Sequence, residues 1–277
     1  MKQNCCVCGS DRIKQVFVKD GIPYYNCLKC SFIFSRPDKN ANFENALESY
    51  EPAYIEYLSG SPADGKNHAA MLRWTERFHP VRGQKVLDIG AGSGKFVRYL
   101  RNNQIEACGI EPAQALYRRF LADEPFFFPV TIEEFSKDPP ADKFNIIFAR
   151  DVIEHVDRPD LFLKCASSVL SPGGKLVVTT PDAGSFTARV LGKRWHHYNK
   201  YHFSYFSRKT ITAIAGECGF HEIGFLRIPH FNPVGYIFQY LNDFVIGRGR
   251  LRIPGRIKGI VIPVNLYDTM CVVFKKS

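Results

Sequence analysis

From Lys85 onward, short runs of consecutive apolar residues alternate with stretches in which apolar positions recur every three or four residues. Runs bounded by turn residues read as strands, and the recurring stretches as amphipathic helices. The strands so predicted are Lys85–Ile89, Ile105–Ile110, Phe126–Val130, Phe144–Arg150, Lys175–Thr180, Ile223–Ile228 and Thr269–Phe274. Helices are predicted at Gly94–Asn102, Pro112–Ala122, Pro159–Leu170 and Arg208–Cys218. Pro112 and Pro159 suit first helical turns, Ser207 suits an N-cap, and Ser171-Pro172-Gly173-Gly174 and Gly219 act as terminators. Such alternation implies an α/β fold: an open, mostly parallel sheet with helices on both faces. No internal repeat is seen.

The first 80 residues read differently. Ile13–Val18 and Tyr24-Tyr25 suggest a small two-stranded ribbon, and Arg36-Pro37-Asp38 breaks it. Phe43 to Leu58 is helix-compatible and carries Tyr50, Tyr54 and Tyr57 at helical spacing. That stripe suits either ordinary packing or a lid over a site. Ser59-Gly60-Ser61-Pro62 stops it, and a further amphipathic helix is predicted over Asn67–Phe78. The chain thus divides into a ribbon (residues 1–36), a helical connector or lid (37–80) and a large α/β domain (81–277).

Composition adds little to this until cysteine and charge are placed. At 277 residues the chain can bury a full core, and 45% hydrophobic with 23% charged residues is ordinary for a globular protein. Met1 to Cys5 has no apolar segment of signal-peptide type, and Phe231–Ile246 is too short and too polar to span a bilayer. The expectation is a cytoplasmic protein, in which nine cysteines are not a disulfide framework. Cys5-x-x-Cys8 is followed after eighteen residues by Cys27-x-x-Cys30. Two such knuckles make a tetrahedral thiolate cage for a structural zinc ion, whose binding would supply the folding energy of so small a ribbon. Cys6 falls inside the first knuckle and is not counted as a ligand. Cys108, Cys165, Cys218 and Cys271 lie on apolar segments and read as core.

The formal net charge is +10, and the chain from Arg227 onward holds eight Lys/Arg against two Asp. Five of those cations fall between Arg248 and Lys258, within a basic segment at residues 246–260. Such a cluster suits an anionic partner (a phosphorylated substrate, a membrane surface or a nucleic acid) or is a solvated loop.

The chemistry concentrates on Val86-Leu87-Asp88-Ile89-Gly90-Ala91-Gly92-Ser93-Gly94 and on the strand that ends at Glu111. Glycine lets backbone approach a ligand, so Gly90, Gly92 and Gly94 mark a binding turn. The helix starting near Gly94 offers free N–H groups to a carboxylate. Asp88 can orient the turn or accept from an ammonium group, and Glu111 can accept from both hydroxyls of a ribose. A ligand with an amino acid at one end and a ribose at the other satisfies all of these.

These motifs, with Phe144-Asn145-Ile146-Ile147-Phe148-Ala149-Arg150-Asp151-Val152-Ile153-Glu154-His155-Val156 and Leu170 to Pro181, resemble those of class I S-adenosylmethionine-dependent methyltransferases over roughly residues 80–230. The Glu-His-Val and Pro-Gly-Gly forms are similar to the ubiquinone-biosynthesis-like group. The resemblance implies a Rossmann-like seven-stranded sheet with a reversed last hairpin and S-adenosylmethionine as cofactor. It implies cofactor contacts from Asp88, Gly90, Ala91, Gly92, Gly94, Glu111 and Pro112. Thr131 and Ile132 would sit beside the adenine, and Arg150 and Asp151 would edge the methionine end. Asn145 stands where the group has Asp, early in its strand, where little effect is expected. The ribbon resembles that of sugar C-methyltransferases, and ribbons also precede some ribosomal RNA guanine methyltransferases, so it leaves the substrate open.

Methyl transfer to a hydroxyl needs alignment and a base. His155, at the carboxyl edge of the sheet, is the candidate base; alternatively it caps a helix or orients a loop. Asp151, Glu154 and His155 could also hold a divalent cation, by analogy with the ubiquinone-type enzymes. Lys193 to Phe203 interleaves aromatic and basic residues within an acceptor-binding insertion near 182–206, and His202 resembles a position used near the active site. The alternative there is a packed cap with satisfied histidines. The reading is O-methylation of a small polar, lipid-linked or nucleotide-linked metabolite of sugar or quinone-precursor type. The rivals are an RNA methyltransferase, against which the Asn/Asp-Pro-Pro-aromatic motif is missing, and a non-catalytic cofactor-binding module.

Overall fold

A computed structural model describes residues 4–36, 60–241 and 254–277. The proposed helix Phe43–Leu58, its tyrosine stripe and the cations Arg248, Arg250 and Arg252 lie outside the described residues.

The central sheet grows from the most hydrophobic segments. Strand β4 (Lys85–Ile89) is buried from Val86 to Ile89, as a strand covered by helices on both faces must be. It pairs in parallel with β5 (Glu106–Ile110) on one side and with β7 (Phe144–Arg150) on the other. The edge strand β6 (Phe127–Phe128) lies beyond β5. On the far side come β8 (Leu170–Pro181), then β13 (Thr269–Lys276), then β10 (Phe220–Leu226). β13 runs antiparallel to both neighbours, which gives the reversed final hairpin. The chain order reverses at β4, so the carboxyl ends of β4, β5 and β7 open a crevice.

Helices cover both faces. α1 (Asp64–Glu76), α2 (Lys95–Asn102) and α3 (Gln114–Phe120) are followed by the single turn α4 (Ile132–Phe135), then α5 (Pro159–Val169), α6 (Phe186–Leu191) and α7 (Arg208–Glu217). Pro159 opens α5, and the Ser207 hydroxyl accepts from the Thr210 N–H to cap α7. Asn145 Oδ1 accepts from the Lys85 N–H and so pins the start of β7 to that of β4. Among the described residues no helix is long and apolar enough to cross a membrane.

Several boundaries differ from the sequence expectation. The helix expected from Pro112 begins at Gln114, because Glu111 Oε1 accepts the Ala113 N–H and Ala113 stays extended. The strand expected at Phe126–Val130 shrinks to two residues. Leu170 belongs to β8 rather than to α5: it pairs with Phe144, and Gly173, at φ +71°, lets the strand continue through the expected terminator. The helix expected at Asn67–Phe78 begins three residues earlier. Also unforeseen is the hairpin of β11 (His230–Pro233) and β12 (Val261–Val264), with α8 (Val234–Leu241) and the turn α9 (Gly255–Lys258) between them.

The ribbon is built by β1 (Ile13–Lys19), β2 (Ile22–Cys27) and β3 (Ile33–Ser35). Asp20 and Gly21, both at positive φ, form the two-residue turn that suits strand twist. A fourth strand comes from the insertion: β9 (Ser204–Tyr205) pairs with β3, Ile33 opposite Tyr205. Tyr24, Trp195, Tyr198 and Tyr205 form a shared aromatic core. Cys5, Val7, Cys27 and Phe32 belong to the main core, where the Phe32 ring lies 5.2 Å from that of Phe206.

Candidate active site

The crevice at the sheet edge is a cleft of about 340 Å³. Gly90, Ala91 and Gly92 form its floor, with Glu111, Pro112, Thr131, Ile132, Arg150, Asp151 and His155 around it. Gly90 sits at φ +71°, and a Cβ there would lie 2.5 Å from Val152 Cγ2, so only glycine fits the turn.

Three predicted residues stand behind the wall rather than in it. Gly94 is absent from the lining; a Cβ on it would meet Leu121 at 2.5 Å and Phe127 at 2.6 Å. Its bareness therefore serves the packing of α2 against the neighbouring layer. Asp88 is fully buried and takes both oxygens to Arg150, at 3.1 Å from Nη2 and 3.4 Å from Nε. Burial raises its pKa and the Arg150 charge opposes the rise. Arg150 also lies over the Phe96 ring, 4.0 Å from its centroid. Asp88 thus aims a guanidinium into the cleft. His202, finally, lies one ring behind His155.

Glu111 Oε2 accepts the Gly92 N–H at 2.8 Å, while Oε1 accepts the Ala113 N–H at 2.9 Å. Each carboxylate oxygen keeps a further lone pair. Burial pushes its pKa up to about 7, against the pull of those two N–H groups. A diol donating to Glu111 would favour the ionised form.

Asp151 has a left-handed backbone, φ +54°, uncommon for a residue with a side chain. Its N–H donates to Thr179 O, and Thr179 Oγ1 donates to Oδ1. The strained turn feeds a 3-10 turn, Ile153–His155. There the His155 Nδ1 lies 2.8 Å from Tyr201 O. A carbonyl only accepts, so Nδ1 carries the proton and Nε2 keeps its lone pair. Burial lowers the His155 pKa, opposed by the Tyr201 carbonyl, so the ring is neutral at pH 7. Glu154 is not among the residues lining the cleft; it is buried and accepts from Thr180 Oγ1, and burial, then Asp151, raises its pKa strongly. The ligating atoms that come together are those of Glu154, His155 and His202, not the expected set with Asp151, whose carboxylate is engaged by Thr179. His202 Nδ1 is buried without a hydrogen-bond partner.

The sequence reading missed the cleft's outer wall. α1 contributes Asp64 and His68, and Lys95 Nζ meets Asp64 Oδ2 at 2.8 Å. Burial lowers the His68 pKa to about 4, with Arg150 adding to it. Only amphipathic spacing marked this helix in the sequence, and nothing there linked it to the glycine turn.

The ribbon reaches the same site. The Ser35 N–H donates to Phe203 O, Ser35 Oγ donates to His202 O, and the Phe203 N–H donates to Glu154 O. Cys5 and Cys30 sulfurs lie 3.6 Å apart, Cys8 and Cys27 sulfurs 3.5 Å. A tetrahedral ion with bonds of about 2.3 Å needs sulfurs about 3.8 Å apart, so the four fit zinc with little movement. Burial disfavours the Cys27 thiolate, but the N–H groups of Cys30 and Lys29 together with the Cys8 and Cys30 thiols outweigh it and lower its pKa to about 7. Cys6 packs beside the cluster and is not part of it.

The family described as "Methyltransferase domain" matches residues 63–223, more than half the chain. A tRNA U34 carboxymethyltransferase of Hydrogenovibrio crunogenus is 35% identical over 123 residues, covering 40% of this chain and 37% of the relative. A ubiquinone biosynthesis O-methyltransferase of Bradyrhizobium diazoefficiens is 31% identical over 136 residues, covering 43% and 53%. The chain thus spans about a third to a half of the length of these curated relatives. In fold it is similar to a SAM-dependent methyltransferase from Archaeoglobus fulgidus, with TM-score 0.55 and 18% identity over 82% of this chain and 100% of the other.

Proposed function

The chain belongs to the methyltransferase-domain family, of the class I S-adenosylmethionine-dependent kind, and from that premise we propose that it methylates a hydroxyl of a small polar metabolite. The acceptor is of sugar or quinone-precursor type, free or carried on a lipid or nucleotide. When bound, S-adenosylmethionine supplies an electrophilic methyl carbon on a positively charged sulfur. Glu111 would accept from the ribose hydroxyls, while Thr131 and Ile132 would flank the adenine. The N–H groups at the start of α2 and the Arg150 guanidinium would receive the carboxylate, and Asp151 would edge the same end. The cage of Cys5, Cys8, Cys27 and Cys30 holds a structural zinc ion.

The observation that carries O-methylation is His155 in the cleft wall, its Nδ1 tied to Tyr201 O so that the ring is held in the tautomer whose Nε2 is the basic nitrogen. His155 would take the acceptor hydroxyl's proton at Nε2, leaving the oxygen to accept the methyl group that the cofactor would supply. His202 supports the ring from behind, their centroids 4.7 Å apart. Arg256 and Lys258, exposed on α9, belong to the basic segment and suit an anionic carrier on the acceptor or a lipid surface.

The test is transfer of a labelled methyl group to a panel of hydroxylated acceptors and to tRNA. Label is expected in a small hydroxylated acceptor, lost in His155→Ala while calorimetry still registers the cofactor. An RNA acceptor is the second reading, favoured by the +10 charge and the tRNA-directed relative. Label in tRNA alone, with affinity falling steeply as salt rises, would replace the metabolite.

A further inference from the structure

Two adjacent histidines in the insertion, His196 and His197, converge on one carboxylate oxygen. Both Nε2 atoms lie 3.8 Å from Asp268 Oδ2. That is too long for a hydrogen bond, yet all three atoms lie within 4.8 Å of one another. A point equidistant from three atoms at this spacing is about 2.2–2.5 Å from each, close to the ~2.0–2.2 Å of zinc bonds to imidazole and carboxylate. We propose that His196, His197 and Asp268 form a second metal site, for a divalent ion of the zinc class, distinct from the cysteine cage.

The surroundings are those of a built site. Asp268 is buried, and its ion-pair partners among the described residues are these two imidazoles alone. Two imidazole nitrogens and one carboxylate oxygen make a donor set that suits a borderline divalent ion. The fully buried Trp195 donates Nε1–H to the same Oδ2 at 3.1 Å, the kind of outer contact that orients a ligating carboxylate. Lys19 Nζ donates to the carbonyls of Trp195 and Tyr198, bracketing the histidine pair, and Asn199 Nδ2 donates to His197 O. Three protein ligands leave at least one coordination place for water or an oxygen donor such as a phosphate or carboxylate.

The experiment strips the full chain of metal, reloads it with zinc and counts metal per chain, then repeats the loading with cobalt. About two zinc ions per chain are expected, falling to about one in His196→Ala and in Asp268→Asn. Asp268→Asn keeps an acceptor for Trp195, and His196 is partly exposed, so the two variants guard against loss of fold. The cobalt form should keep its thiolate charge-transfer band in both variants and lose the weaker nitrogen–oxygen ligand-field band. One zinc per chain or none overturns the proposal. So does a second zinc that survives both substitutions, or one lost in Glu154→Gln instead.

Discussion

Glu111 would tie protonation to ligand binding through one side chain. Its pKa of about 7 means that the unliganded fold favours the neutral acid more than water does. Binding to the ionised form should therefore weaken on acidification. The dissociation constant of the cofactor is expected to rise roughly tenfold between pH 8 and pH 6, and Glu111→Gln should bind more weakly and lose this dependence. Calorimetry across that range checks both. Gly90→Ala sets a Cβ against Val152 at positive φ. It should cost about 1–3 kcal/mol of stability and abolish cofactor retention, measurable by thermal melts with and without the ligand. His155→Ala should lower turnover by roughly 10²–10⁴-fold with the cofactor affinity nearly unchanged. These residues stood out in the sequence because a glycine turn and a strand-end acid are local patterns. The tie of His155 to Tyr201 did not, since 46 positions separate them.

Elements were legible in proportion to their burial. β4 and β7 have the boundaries read from the sequence, because both are central strands buried through most of their length. Short strands such as β9 and β11 depend on partners far away in the chain, and local pattern cannot supply them. The pairing of β3 with β9 joins the ribbon to the wall of the candidate site. It passes through Ser35 to His202 and Phe203, and from Phe203 to Glu154. Removing metal from the cysteine cage with a chelator should therefore reduce acceptor turnover at least tenfold while leaving cofactor affinity within about twofold. Separate calorimetry and turnover assays on the chelated chain decide this.

At the scale of the molecule, the ribbon is less separable than its sequence suggests. Cys5, Val7, Cys27 and Phe32 share a core with Ile153, Phe162 and Phe206. Heating should give one cooperative transition, displaced downward by several degrees after chelation, rather than an early ribbon melt followed by an unchanged main one; calorimetric scanning distinguishes these. The register of Ile33 opposite Tyr205 also has a consequence for synthesis. A ribosome working at about 5–20 residues per second delivers the second of these residues roughly 10–30 s after the first. Throughout that interval the nascent ribbon holds an unpaired strand edge and bare aromatic rings, exposed to chaperones and to neighbouring chains. Early capture of zinc by the four thiols would shorten that vulnerability, so the cell's metal supply bears on the yield of folded protein.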